Sequence, residues 1–187
     1  MTSEEQNLII EEMRNGAGAK VYGSNIELNV APSSRFSVQA GGTMQRSNYE
    51  EDQLLYEGAT EAENVSSKRF VRTPNAYGYI NTNWKPVAPF SIDLTGVYTG
   101  SMIVPHVLAD DQFLLKKSPD FMELNLRLGY TFALKKDLNM EIFGGMQNIF
   151  NSFQKDFDTG ALRDSQYIYG PSRPRTITFG VKIGHFH

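Results

Sequence analysis

The chain contains no cysteine, which excludes disulfide frameworks and thiolate metal sites. Such a composition suits an exported chain that avoids stray disulfides, without fixing the compartment. No apolar run approaches the roughly 20 residues that a membrane-spanning helix needs. The opening MTSEEQNLII has glutamates and no basic stretch, so it does not read as a secretory signal peptide. A basic excess is missing as well: a net charge of -3 offers nothing to nucleic-acid phosphates. No Ser/His/Asp set, glycine-rich phosphate loop or paired carboxylates stands out. The residues therefore give no enzyme and no cofactor. His106, His185 and His187 lack the spacing of a helical metal site, and the last two read as an exposed terminus. The acidic stretch Tyr49–Asn64 lacks the ligand spacing of a calcium loop and reads as a solvated loop.

What the chain does have is period two. In KVYGSNIELNVAP, Tyr22, Ile26, Leu28 and Val30 share one face, and Asn25, Glu27 and Asn29 share the other. Phe36, Val38, Ala40 and Met44 oppose Ser37, Gln39, Thr43 and Gln45, while Ile80 and Trp84 oppose Asn81 and Asn83. Phe90, Ile92, Leu94, Tyr98 and Met102 oppose Ser91, Asp93, Thr95, Thr99 and Ser101. The longest run, FMELNLRLGYTFAL, alternates Met122, Leu124, Leu126, Leu128, Tyr130 and Phe132 with Glu123, Asn125, Arg127 and Thr131. NMEIFGGMQN and RTITFGVKI add two more. Alternation sustained over such lengths specifies strands. A short strand near Asn7–Glu12 brings the expected total to about eight, with almost no helix.

The connections alternate in length. Ala31–Ser34, Lys85–Pro89 and Lys135–Leu138 are tight, whereas Asn48–Thr73, Pro105–Asp120 and Asn151–Arg173 are long. Short turns at one end and long loops at the other are the habit of outer-membrane β-barrels. Periodicity alone does not say which face is the core, because a soluble barrel buries its apolar face and a membrane barrel turns it to lipid. Phe36, Trp84, Phe90 and Phe132 gather beside the tight turns, as an interfacial aromatic girdle does. The fold expected is all-β: an antiparallel up-and-down meander of about eight strands, forming part or all of a transmembrane β-barrel. The alternative is a small soluble or self-closed barrel acting as a binding or structural module.

QNIFN (Gln147–Asn151) resembles the Asn-Leu-Phe-Asn/Asp element of TonB-dependent outer-membrane receptors. GPSRPRTITFGVKI (Gly170–Ile183) resembles the family's Pro-Gly-Arg-Thr approach to its final strand, carried here by Pro174, Arg175 and Thr176. VYTGSM (Val97–Met102) and the stretch Asn29–Glu51 are similar to the family too, so the resemblance runs from about Val21 to Phe186. It implies the C-terminal barrel segment of a receptor importing a scarce nutrient of siderophore, cobalamin or saccharide class. It implies a Gram-negative outer membrane as the parent receptor's location, with membrane lipid and the barrel assembly machinery as partners. Phe186 is similar to the terminal aromatic read by that machinery, although His187 follows it. The family's plug and energy-coupling segment have no counterpart in these residues. The expected contribution is therefore barrel wall and loops across residues 1–187 as a single segment, with the TonB system reached only through N-terminal parts. Arg72, Tyr77, Tyr167 and Tyr169 are the candidate contacts for an unidentified small-molecule ligand. Arg175 and Asn148 are expected to shape the chain rather than bind. The final strand is expected to find a partner on its free edge: the first strand of the parent receptor or, in this chain alone, the strand near Asn7–Glu12, closing an eight-stranded barrel, or a second copy.

Overall fold

The computed structural model describes residues 18–135 and 137–185. The expected strand near Asn7–Glu12 and the terminal Phe186 lie outside the described residues. Ten strands follow in order: β1 (Ala19–Ser33), β2 (Phe36–Tyr56), β3 (Val65–Arg69), β4 (Ala76–Val87), β5 (Phe90–Thr99), β6 (Ile103–Val107), β7 (Phe113–Lys117), β8 (Phe121–Lys135), β9 (Leu138–Gln147) and β10 (Thr176–Gly184). A single helical turn, Glu61–Glu63, is the helix present among the described residues. The principal sheet is eight-stranded, in the order β1-β2-β4-β5-β8-β9-β10 with β3 on β2; β6 and β7 form a separate hairpin. Every pairing in the sheet is antiparallel.

Register brings the alternating faces into one continuous surface. Ala40 lies opposite Leu28 on β1 and Ile80 on β4, and Ile80 lies opposite Gly96. Phe36 meets Trp84, Trp84 meets Ile92, and Ile92 meets Leu128. Phe90, Tyr130, Ile142 and Val181 make a further row beside the tight turns. A one-residue slip anywhere would turn a strand's apolar set to the wrong side, so the pattern itself pins the register.

No second layer covers this face among the described residues. Ile26 is 75 % exposed, Met44 73 % and Phe179 84 %, and the same face leaves Leu28, Trp84, Leu128, Phe132, Ile177 and Ile183 exposed. The buried apolar side chains are Val104, Phe121 and Tyr167, none of which lies on it. At such exposures each large side chain forgoes roughly 1–2 kcal/mol of burial. Summed over the face, the loss exceeds the roughly 5–15 kcal/mol net stability of a typical domain. A layered soluble fold would bury this surface.

The opposite face is polar and knits the strands together. Arg127 on β8 meets Asp93 on β5 at 3.3 Å and Glu141 on β9 at 2.7 Å, and its guanidinium lies 4.4 Å from the Phe143 ring centre. Glu123 stands opposite Val97, and Arg127 pairs across the flanking strands. Asn83 donates to Asp93 at 2.5 Å on the same face.

The sheet of described residues is open, since β1 pairs with β2 and β10 with β9, and the strand order does not return on itself; the strand expected to close it, near Asn7–Glu12, lies outside them. One expectation needs correction: the long connections are folded rather than merely solvated. β2 runs on to Tyr56 and pairs with β3, and much of Pro105–Asp120 lies in the β6–β7 hairpin. Consecutive acids at Glu50, Glu51 and Asp52 interrupt the alternation there, because a strand clear of both lipid and core need not alternate.

Candidate functional site

The three long connections meet at one end of the sheet, and side chains from distant parts of the sequence hold them. The turn after β9 starts this construction. Asn148 and Asn151 adopt φ of 49° and 54°, the left-handed region that asparagine tolerates better than most residues. Asn148, 3 % exposed, accepts from the Ser152 amide at 2.9 Å and donates to the Arg173 carbonyl at 2.9 Å. Its own amide donates to Asn125 on β8 at 2.8 Å. The Asn151 side chain accepts from the Arg175 amide at 2.9 Å, and Thr176 Oγ1 donates to the Pro174 carbonyl at 3.2 Å. The two asparagines of QNIFN thus grip the Arg173–Arg175 approach to β10.

Between these anchors, Gln154 pins the loop from inside. It is 1 % exposed, donates to the Tyr167 carbonyl at 3.0 Å and accepts from the amides of Tyr169 and Gly170. Gly170 is a required glycine, because a Cβ there would sit 2.4 Å from the Phe121 ring. Tyr167 and Tyr169 both donate to Asp156, at 2.8 and 2.5 Å, and Lys116 approaches the same carboxylate at 3.4 Å. Burial raises the Asp156 carboxyl, but the phenols of Tyr169 and Tyr167 and then Lys116 outweigh it, leaving the group below the ordinary 3.8. Burial, then donation to Asp156, pushes Tyr167 up to about 12; the same two causes raise Tyr169.

His106 carries the β6–β7 hairpin onto this loop. Its ring stacks on Tyr167 with centroids 3.6 Å apart, and Nε2 contacts both Asp158 oxygens at 3.0 and 2.9 Å. That contact, followed by the Asp164 amide, holds the Asp158 carboxyl below its ordinary value. His106 Nδ1 is buried with no hydrogen-bond partner among the described residues.

Of the four candidate ligand contacts, three converge here and one does not. Arg72, at φ 55°, donates to the Ile168 and Gln166 carbonyls at 2.9 and 2.5 Å, so its guanidinium ties the β3–β4 connection to the last loop. Tyr167 is buried and Tyr169 lies beside it, with ring centroids 5.2 Å apart. Tyr77 stands apart, exposed on the polar face of β4 opposite Thr43 and Thr99. Gln154, Asp156 and Asp158 escaped the sequence reading, and His106 is weighed there only as a metal ligand. His106 and Asp158 lie 52 residues apart, and no local spacing signals such a pair.

Beside this cluster lies a cavity of about 560 Å³, where β2 leaves β4 to pair with β3 and the β6–β7 hairpin leans over. Phe70, Met102, Ile103 and Leu115 form its apolar lining, Arg46, Arg69, Lys116 and Lys117 its basic lining, and no carboxylate among the described residues lines it. Among the described residues no cluster of histidine, aspartate and glutamate could hold a metal.

An antiparallel meander with a bare apolar face, an aromatic rim at the tight turns and folded loops at the other end has the architecture of a transmembrane β-barrel wall. Solved structures share that fold. The chain superposes on the ferric-catecholate import receptor Fiu of E. coli K12 with a TM-score of 0.61 and 18 % identity, covering 90 % of this chain and 21 % of the receptor. It superposes on the ferripyoverdine receptor of the Pseudomonas aeruginosa outer membrane, solved with ferripyoverdine, with a TM-score of 0.61 and 14 % identity over 90 % and 20 %. The siderophore receptor PiuA of Acinetobacter baumannii gives 0.61 and 13 % identity over 90 % and 22 %. The chain thus has the fold of a barrel segment of siderophore receptors and spans about a fifth of their length. No family profile matches the sequence, and no curated protein does.

Proposed function

We propose that residues 1–187 serve as one segment of a TonB-dependent outer-membrane receptor, supplying barrel wall and outward-facing loops for uptake of a scarce nutrient. One observation carries this reading: the apolar face runs across the sheet with no protein layer over it among the described residues. Lipid is the solvent that such a face requires, and the polar face then lines the lumen. The sequence motifs and the solved receptors support the same reading, with a siderophore as the first nutrient class to test. Tyr77 is the candidate contact best placed for a ligand, because it is exposed on the lumen-facing side. Arg72, Tyr167 and Tyr169 act chiefly by holding the loops in shape. The fold does no catalysis in this reading; transport proper needs the plug and coupling parts of a whole receptor.

Folding in vesicles against buffer is the test. The full chain should acquire β-sheet circular dichroism and heat-modifiable gel mobility in phosphatidylcholine vesicles and aggregate without lipid or detergent. A monodisperse monomer with the same β content in plain buffer would instead establish the soluble-module alternative.

A further inference from the structure

We infer that the cavity between the β2–β3 hairpin and the β6–β7 hairpin binds a small oxyanion ligand that carries two or more negative charges and an apolar flank. The inference rests on the receptor reading only for access from the outer side of the membrane; the binding chemistry stands on the cavity's own lining.

The charge is one-sided. Arg46, Arg69, Lys116 and Lys117 line the cavity without a carboxylate among the lining residues. Lys116 is already engaged with Asp156 and lies 5.0 Å from the Tyr167 ring centre. Arg46, Arg69 and Lys117 make no ion pair with a described residue. Like charges brought around one concavity repel, and a bound anion relieves that cost while gaining from low-dielectric walls. Arginine suits oxyanions in particular, since its planar fork of donors matches carboxylate and phosphate.

Ser47 adds a hydroxyl to the polar lining. A second observation concerns the apolar lining. Beneath the cations, Phe70 is held by its tilted contact with Tyr49 at 4.3 Å, and Ile103 and Leu115 come from the paired strands of the hairpin. These surfaces give a ring or hydrocarbon flank somewhere to lie. The site is preorganised, because backbone bonds from Phe70 to Ser47 and from Arg72 to Ile103 fix its walls at 3.3 and 2.7 Å. A cavity of about 560 Å³ falls in the range of small-molecule pockets.

The probe is pyranine, a fluorescent aromatic trianion, read by anisotropy with the full chain folded in phosphatidylcholine vesicles and protein-free vesicles as the blank. A saturable rise is expected, weakened by added salt and displaced by inorganic pyrophosphate. Arg69→Gln with Lys117→Gln should weaken binding about tenfold or more. Lys85→Gln, next to a tight turn at the far end, should leave it unchanged. Heat-modifiable mobility checks that each variant has folded. Equal binding by the double variant and the parent, or an equal loss in Lys85→Gln, would overturn the assignment. Insertion without any saturable rise would remove this inference and leave the receptor reading intact. The same variant pattern in a chain that folds without lipid would do the reverse.

Discussion

Single residues matter most where the backbone is forced. Asn148 combines a left-handed φ with a buried side chain that bonds Ser152 and Arg173. Asn148→Ala should cost about 2–4 kcal/mol, from lost hydrogen bonds and a strained φ, read as a lowered urea midpoint in vesicles. Asn148→Gly relieves the φ but not the bonds, so it should recover only part of the loss. Full recovery would show that conformation alone selects asparagine there. Arg175, by contrast, contributes its backbone amide to Asn151, so Arg175→Ala should leave stability within about 0.5 kcal/mol of the parent.

Among the elements, the strands divide by face and the loop cluster by charge. Leu126 lies on the apolar face between Leu94 and Met146; Leu126→Arg should reduce stability in lipid by roughly 2–4 kcal/mol at mid-depth. Asn81 has the opposite parity, so Asn81→Arg should be well tolerated in a wet lumen. Neighbouring Asn125 is unsuited to this comparison because it accepts from the Asn148 amide. Equal folding of the two arginine variants, measured by gel mobility, would reverse the facing. In the loop cluster, Asp156 and Asp158 both sit below the ordinary 3.8. A depressed carboxylate contributes stability above its unfolded value and loses it as pH falls through the folded one. Protease nicking of the segment 151–173 should therefore stay flat from neutrality to about pH 4 and rise only below it. Tyr167, raised from 10.0 to about 12, behaves in the opposite sense: its contribution is complete below pH 10 and fades toward 12. Near-ultraviolet tyrosinate absorbance should show a late-titrating fraction that Asp156→Asn brings forward.

At the scale of the whole molecule, the open sheet has two free edges among its described residues, on β1 and on β10. In hydrocarbon each unpaired backbone group costs several kcal/mol, so we expect those edges to be occupied in a membrane, by neighbouring barrel strands or by a second copy. Amide exchange from Thr176 to Ile183 measures it. In a lipid-embedded assembly all these amides should be protected, whereas fast exchange at alternate positions would mark an edge left open. The same polarity governs access from outside. Arg163 in the last loop should be cleaved readily by trypsin added to vesicles with loops outward, and Lys85 and Lys135 beside the tight turns should resist.

The meander, the division of its strands into an apolar and a polar face and the alternation of tight and long connections could be read from residue order, because alternation and turn length are local properties imposed by a strand's two-sided surroundings. Leu124, Leu126 and Leu128 announce their face without any knowledge of what they touch. The QNIFN asparagines and the Pro174–Thr176 approach could be singled out too, but not that one grips the other. Only the folded chain joins His106 to Asp158, Arg72 to Ile168 and Ser47 to a basic cavity. Those contacts span tens of residues and obey no period. They arise where three loops are brought to one end of a sheet, and strand register, not nearby sequence, chooses which side chains meet.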